Sequence, residues 1–433
     1  MNNLKVFLAL NSFFPNGCGG TEVYALGLAR YLREKNHDVF ILIPCKETNC
    51  SKYIYDGFTV YQYPVNPLDN ILKKKDLNCL AGLDCFKGIL SLTKPDVIHF
   101  HSYNRAMNSR HIRLAYDMGI KTVFTSHLAG LFCARGDLFY KNTRPCDGKI
   151  RLHRCMSCYI HQKHKLFYCS GIVAFGINLF ILLFPWIKQY KPSLNFIKRK
   201  KEELRNLNKY CDKIISISKW MLNTYALNGT TKAIAICQEV SKNKVKIERH
   251  LRRGNKISLI FIGRLYPIKN IELLLNALSS FDKFLFDLTM TVIPNENSMD
   301  YYHKIKGKYK LLGYNKWHEK VSQEKVKDLL KSSDLLCLPS ISEVAPMVIK
   351  EAFDCEIPVI GSDITPISEI VTHGKDGLLF ETNNVESLKK QLNQLITDKS
   401  LLAKLKNNVR AMTDITDVYR AIEKQYQLLM STN

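Results

Sequence analysis

The chain has 433 residues, 46% of them hydrophobic, which is too long for one ordinary domain and ample for two cores. Lysine and arginine number 63 against 39 acidic residues, and the resulting charge of +24 calls for an anionic partner. Nucleic acid, acidic lipid and a charged nucleotide all have the right sign. No zinc-finger pair, RNA-recognition signature or aromatic-interleaved basic groove is present, so nucleic acid is not the expected partner. The chain has fourteen cysteines and no secretory signal, which suggests a reducing compartment. Leu4–Leu10 imitates a signal core, but it lacks a small-residue cleavage site and runs directly into a glycine-rich turn.

Leu4–Leu10 therefore reads as a first parallel strand, covered on both faces. Asn16-Gly-Cys-Gly-Gly-Thr-Glu22 follows, then a helix over Thr21–Lys35 whose apolar stripe is Val23, Leu26, Leu28, Ala29 and Leu32. Strand, glycines and helix is the layout that lets backbone approach a phosphate, although a plain tight turn explains the same residues. Further strands are expected at Asp38–Ile43, Phe58–Tyr63, Lys94–His101 and Lys121–His127, with a helix near Arg105–Met118. His99, His101 and His127 stand at strand ends, as ligands or as satisfied histidines.

An insertion over about 128–210 follows. Cys133, Cys146, Cys155 and Cys158 include one Cys-x-x-Cys pair, and three readings are open: a tetrahedral structural zinc, a disulfide disfavoured by compartment, or buried thiols. Leu166–Ile187 carries no charge and is long enough, as a helix, to cover the ~30 Å hydrocarbon core. Lysines flank it at 163, 165, 188 and 191, with Lys198-Arg-Lys-Lys201 beyond. A single span would put strands of one sheet on opposite sides of a membrane. The segment is therefore expected to lie in the interface or re-enter, its flanking lysines on anionic head groups, with a buried core helix as the other reading. A helix at Lys198–Lys209, a strand at Lys213–Ser218 and a helix at Trp220–Asn228 close this half, and Ser241–Lys256 is a basic, polar linker.

In the second half, Ile257–Ile262 is a buried strand leading to Gly263-Arg264. Arg264 and Lys269 are cations able to neutralise charge growing on a departing diphosphate. Strands are expected at Phe284–Ile293, Tyr309–Gly313, Ser333–Pro339 and Ile357–Ser362. The most informative stretch is Ser340-Ile-Ser-Glu-Val-Ala-Pro-Met-Val-Ile-Lys-Glu351, a strand-to-helix loop carrying Glu343 and a helix carrying Glu351. Pro346 suits the first helical turn. Amides from about Val344 to Val348 would sit at the helix N-terminus, which favours phosphate, while the carboxylates accept from sugar hydroxyls. An amphipathic helix with two solvated glutamates is the bland alternative.

The run from Asp334 to Phe380, with Glu343 and Glu351 separated by seven residues, resembles family-4 retaining glycosyltransferases. Phe261-Ile-Gly-Arg-Leu-Tyr-Pro-Ile-Lys-Asn270, Pro95-Asp-Val-Ile-His99 and the Gly19-Gly20 pair resemble further blocks of the same family, in the same order. The resemblance implies an α/β GT-B fold, two Rossmann-like domains facing across a cleft. The acceptor domain would be 1–238, the nucleotide-sugar donor domain 239–415, and 416–433 a helix crossing back. It implies donor contacts at Gly19, Gly20, Arg264, Lys269, Val344, Ala345, Pro346, Met347, Glu351 and Glu369, with His127 and Glu343 positioning the sugar. It also implies front-face retaining transfer from a nucleoside diphosphate sugar to a glycan or lipid-linked acceptor. No metal is expected in catalysis, and no Asp-x-Asp motif is present. The family setting is surface polysaccharide synthesis by a peripheral protein on the cytoplasmic face of the inner membrane. The sequence departs from the family at Glu356 and Thr365-Pro366, where glycines are usual, and lacks the Asn-Gly turn near Ala235–Val240. These departures keep open a non-catalytic scaffold.

Overall fold

The computed structural model describes residues 3–431 except 18, 66–81, 105, 164–190, 241–255, 294–298, 311–315 and 320. The expectation for Leu166–Ile187 falls wholly outside the described residues. Among the described residues no helix is long and apolar enough to cross a membrane. The chain divides into two compact units, 1–237 with 414–433, and 238–413.

The first unit is built on β1 (Lys5–Ala9), β2 (Asp38–Cys45), β3 (Ser51–Tyr55), β4 (Phe58–Pro64), β5 (Val97–Phe100), β6 (Lys121–Ser126), β9 (Lys213–Ser216) and β10 (Ala233–Ala235), with a separate hairpin β7 (Phe139–Tyr140) and β8 (Arg144–Pro145). The sheet order is β10-β9-β6-β5-β1-β2-β4-β3, parallel except for the β3–β4 pair. From β1 the chain works outward to one side, then returns to lay β5 on the other, which makes the carboxyl ends of β1 and β5 a topological switch point. The first helix, Gly20–Glu34, buries Ala25, Leu26, Leu28, Ala29 and Leu32 on one stripe.

The C-terminal helix, Ile415–Ser431, completes this unit's core by burying Val418, Tyr419, Ile422 and Tyr426 against residues of β1 and the first helix. Its polar face is tied as well. Tyr31 Oη donates to Glu423 Oε2 at 2.9 Å, and His37 Nε2 lies 3.1 Å from Glu423 Oε1.

The second unit holds β11 (Ile257–Arg264), β12 (Phe286–Ile293), β13 (Lys316–Glu319), β14 (Leu335–Leu338), β15 (Val359–Ser362) and β16 (Gly377–Phe380) in the order β13-β12-β11-β14-β15-β16. All the pairs are parallel. Alternate residues of β11 face opposite layers. Leu259 and Phe261 pack under the helices Ile271–Leu278 and Val385–Thr397, and Ile260 packs under Met347–Asp354. Its switch point is at β11 and β14. The doubly wound parallel architecture of both units is the fold class read from the sequence.

Two local expectations are corrected. The strand placed at Tyr309–Gly313 is not one where it is described: Tyr309 continues the turn of the helix Met299–Lys308, its amide bonded to the Ile305 carbonyl at 3.1 Å. The strand is β13, further on, and Leu311–Gly313 lie outside the described residues. Pro346 is the residue capping the helix Met347–Asp354 rather than its first member.

Candidate active site

In the second unit the loops that leave β11 and β14 are tied together at the switch point. The Ile341 amide donates to the Ile268 carbonyl at 2.8 Å, joining the loop after β14 to the 3-10 turn Pro267–Lys269. This places Lys269 Nζ 2.5 Å from Glu343 Oε1, with the side chains 24% and 10% exposed. A charge-assisted contact so shielded from water is stronger than a surface pair. A methyl at Gly263 would sit 3.9 Å from the Lys269 aliphatic chain, an ordinary contact, so the pair does not require a glycine there. Arg264 ends β11 and is exposed.

The helix Met347–Asp354 starts beside this pair. No side chain caps it, so its first-turn amides are not taken by a capping oxygen. Val344 and Ala345 are half-buried, Pro346 is buried and Met347 is exposed. Glu351 is half-buried. Burial raises its carboxyl above the usual range, Lys327 opposes that and Asp354 adds to it. The charged groups that act on Glu351 include Lys327 and Asp354. Glu369 is exposed at the end of the short helix Thr365–Ser368, whose first turn contains Pro366.

In the first unit, three histidines from two adjacent strands line up. His99 Nδ1 is 2.6 Å from Tyr426 Oη and its Nε2 is 2.7 Å from Thr125 Oγ1. His101 Nδ1 is 3.1 Å from His127 Nε2. Burial pushes the His127 imidazole down to about 4, and burial followed by mutual repulsion pushes His99 and His101 well below the ordinary value. All three are neutral at physiological pH. One of His101 and His127 donates and the other accepts, which fixes their tautomers jointly. The Tyr24 ring stands edge-on to His127, its centroid 5.0 Å away, and brings the first helix to the same place.

Gly19 caps that helix without a side-chain bond, and Gly20, exposed, has nothing within 4 Å of where a methyl would be. The glycine demanded by space is Gly17, where a methyl would lie 2.6 Å from Ser12 Oγ. Ser12 Oγ donates to Glu22 Oε1 at 2.6 Å, so Ser12, Gly17 and Glu22 hold the loop. Gly17 and Glu22 stand in the glycine-rich turn read from the sequence, whereas Ser12 and its bond to Glu22 escaped it, since no local pattern joins residues ten apart across a turn. Gly19, Gly20 and His127 thus belong to one unit, and Arg264, Lys269, Glu343, Val344–Met347, Glu351 and Glu369 to the other.

Cys133, Cys146, Cys155 and Cys158 line one small cavity of the first unit, with no disulfide. Among the described residues no three His, Cys, Asp or Glu side chains stand ready as a coordination shell.

Two Rossmann-like units, each with its loops gathered at a switch point, define a two-domain, doubly wound class of protein. The family model described as Glycosyl transferases group 1 matches residues 242–412, and that described as Glycosyltransferase Family 4 matches residues 18–157. Each unit of the chain thus carries a match to a glycosyltransferase family model, and the two-unit doubly wound architecture is that of the GT-B fold. An uncharacterized glycosyltransferase of Methanocaldococcus jannaschii is 30% identical over 206 residues, 46% of this chain and 53% of that protein. A UDP-Gal:alpha-D-GlcNAc-diphosphoundecaprenol alpha-1,3-galactosyltransferase of Escherichia coli is 25% identical over 181 residues, 40% of this chain and 45% of that protein. The chain spans about half the length of these two curated relatives. Among solved structures, Anabaena HepE in complex with UDP and glucose matches with a TM-score of 0.61 at 14% identity, over 98% of this chain and 100% of that one.

Proposed function

We propose that this protein moves a sugar, with retention, from a nucleoside diphosphate sugar to a membrane-associated glycan or lipid-linked acceptor in surface polysaccharide synthesis. The observation that carries the reading is the Lys269–Glu343 pair at the β11/β14 switch point, beside the uncapped helix Met347–Asp354. A fixed ammonium and a helix N-terminus are what a diphosphate needs. Arg264, Lys269 and the amides following Glu343 hold the diphosphate, Glu351 accepts from the ribose hydroxyls, and Glu343 and His127 orient the sugar. By the same reading Gly19 and Gly20 serve the diphosphate, and Glu369 serves the nucleotide.

The bond from the anomeric carbon to the donor phosphate oxygen breaks. The acceptor hydroxyl bonds to that carbon on the same face, and its proton passes to the departing phosphate oxygen. No catalytic metal enters this scheme, because protein cations take the developing charge. Neutral His127 offers the sugar a hydrogen bond without adding charge. The UDP and glucose held by HepE and the lipid-linked substrate in the name of the Escherichia coli relative support the donor and acceptor classes. The charge of +24 supports an anionic membrane surface, with the protein peripheral on the cytoplasmic face of the inner membrane.

The test is donor hydrolysis or transfer by Glu351→Ala and Arg264→Ala, after a thermal-shift screen has identified the nucleotide-sugar. Loss in both is expected, and undiminished activity in both would refute the assignment. The departures at Thr365-Pro366 motivate a second reading, a non-catalytic scaffold. Calorimetry decides between them, since a scaffold need not bind a donor at all.

A further inference from the structure

We propose that Cys133, Cys146, Cys155 and Cys158 bind one thiophilic divalent cation of the zinc class as a tetrathiolate that pins the insertion of the first unit. The inference does not depend on which sugar the protein transfers, or on whether it transfers one.

The four cysteines come from three separate pieces of chain. Cys133 follows the 3-10 turn Ala129–Leu131, Cys146 follows β8, and Cys155 and Cys158 lie on the helix Leu152–Lys163. A spacing of three on a helix puts both side chains on one face, with Cβ atoms about 5–6 Å apart. A hairpin supplying one thiol and a helix supplying a Cys-x-x-Cys pair is a zinc-ligand pattern. The backbone holds the pieces in place: the Cys146 amide donates to the Leu138 carbonyl at 2.7 Å, and the Ile150 amide to Asn228 Oδ1 at 2.9 Å.

Size and charge select the occupant. The cavity among the four is about 30 Å³, enough for a single small ion and far too little for an organic cofactor. Arg135, Lys149 and Arg154 line it too. Three cations around four neutral thiols are poorly matched, even with Asp137 pairing Arg135 at 2.6 Å. A divalent ion on four thiolates carries a net charge of two minus, which these cations balance. Cys158 Sγ already accepts from the Lys141 amide at 3.3 Å and from Arg135 Nη1 at 3.6 Å, the donor pattern that supports a metal-bound thiolate.

Among the described residues of the segment, the buried apolar cluster is Met156, Ile160, Leu194 and Ile197, a small core that a metal clip would reinforce. Without metal the other sulfurs rest on local partners: Cys133 on Asp137 at 3.8 Å, Cys146 on Asp147 at 3.8 Å, and Cys155 on the Lys149 carbonyl at 3.9 Å. Binding turns them inward and releases four protons, one per thiol.

The experiment uses the full chain purified under reductant without chelator. Metal content is measured on the wild type and on the Cys155→Ser/Cys158→Ser double variant. Cobalt(II) exchanged into the wild type is then read for sulfur-to-cobalt charge transfer. Expected are one zinc per chain, an intense charge-transfer band, and at least a tenfold loss of metal in the double variant. Zinc below about one tenth of an equivalent after incubation with excess zinc would overturn the proposal. So would a cobalt spectrum without thiolate bands, a Cys155–Cys158 disulfide found by differential alkylation, or full metal retention by the double variant. Should the variant not fold, the cobalt spectrum of the wild type alone decides.

Discussion

Lys269 and Glu343 are 74 residues apart in sequence and 2.5 Å apart in space. They meet because β11 and β14 are neighbours in the sheet, so the loops leaving their carboxyl ends share one edge. Glu343 fixes the ammonium, which under the proposed function is electrostatic preorganisation toward a diphosphate. Lys269→Met is expected to lower the rate of sugar transfer by roughly 10²–10³-fold with the fold intact. Initial rates and a circular-dichroism melt check this, and a rate within a few-fold of wild type contradicts it.

Glu356 has φ +56°, a left-handed backbone just beyond the helix Met347–Asp354 and its cap Cys355. A non-glycine residue pays about 1–2 kcal/mol for that conformation, and glycine is the usual occupant of the position. Glu356 therefore holds a left-handed backbone at a cost in strain. Glu356→Gly is expected to stabilise the second unit by about 1 kcal/mol, raising its melting temperature by about 2–4 °C. Calorimetry showing a lower melting temperature would mean that the Glu356 side chain contributes more than its backbone costs.

The long apolar strands and the amphipathic first and last helices were legible because burial on both faces and a 3.6-residue stripe leave plain patterns. Ser51–Tyr55 was missed. It is a half-exposed edge strand, but Asp56-Gly57, with φ +52° and +76°, was a readable hairpin turn into β4. Glu343 and Lys269 were legible singly, whereas their pairing depends on strand order, which no local pattern carries. The surroundings of Glu351 were hidden for the same reason, since Lys327 arrives from another helix.

The histidine row makes the first unit acid-sensitive. In the folded chain His127 titrates near 4, against an ordinary value of 6.5, because burial disfavours the imidazolium. Between those values the unfolded chain binds more protons, so this contribution is complete above about pH 6.5 and is lost as pH falls toward 4. His99 and His101 act in the same direction. Urea midpoints are expected to drop between about pH 7 and pH 5, and the drop is expected to be smaller in His127→Gln. Equal slopes in the two proteins would contradict the assignment.

The last helix is a structural member of the first unit, and its energetics follow from burial. Ile422 is fully buried among residues of β1 and the first helix, while Leu428, two turns on, is 48% exposed. Truncating a buried isoleucine removes its transfer free energy and leaves a cavity, so Ile422→Ala is expected to cost about 2–5 kcal/mol. Leu428→Ala is expected to change stability by no more than about 0.5 kcal/mol. Tyr426→Phe leaves the ring in place but takes the hydroxyl from His99 Nδ1, at 2.6 Å, and exposes the cost of an unpaired buried nitrogen, about 1–3 kcal/mol. Chemical denaturation of the three variants ranks them. If Leu428→Ala proved as costly as Ile422→Ala, the packing of this helix would have to be reassigned.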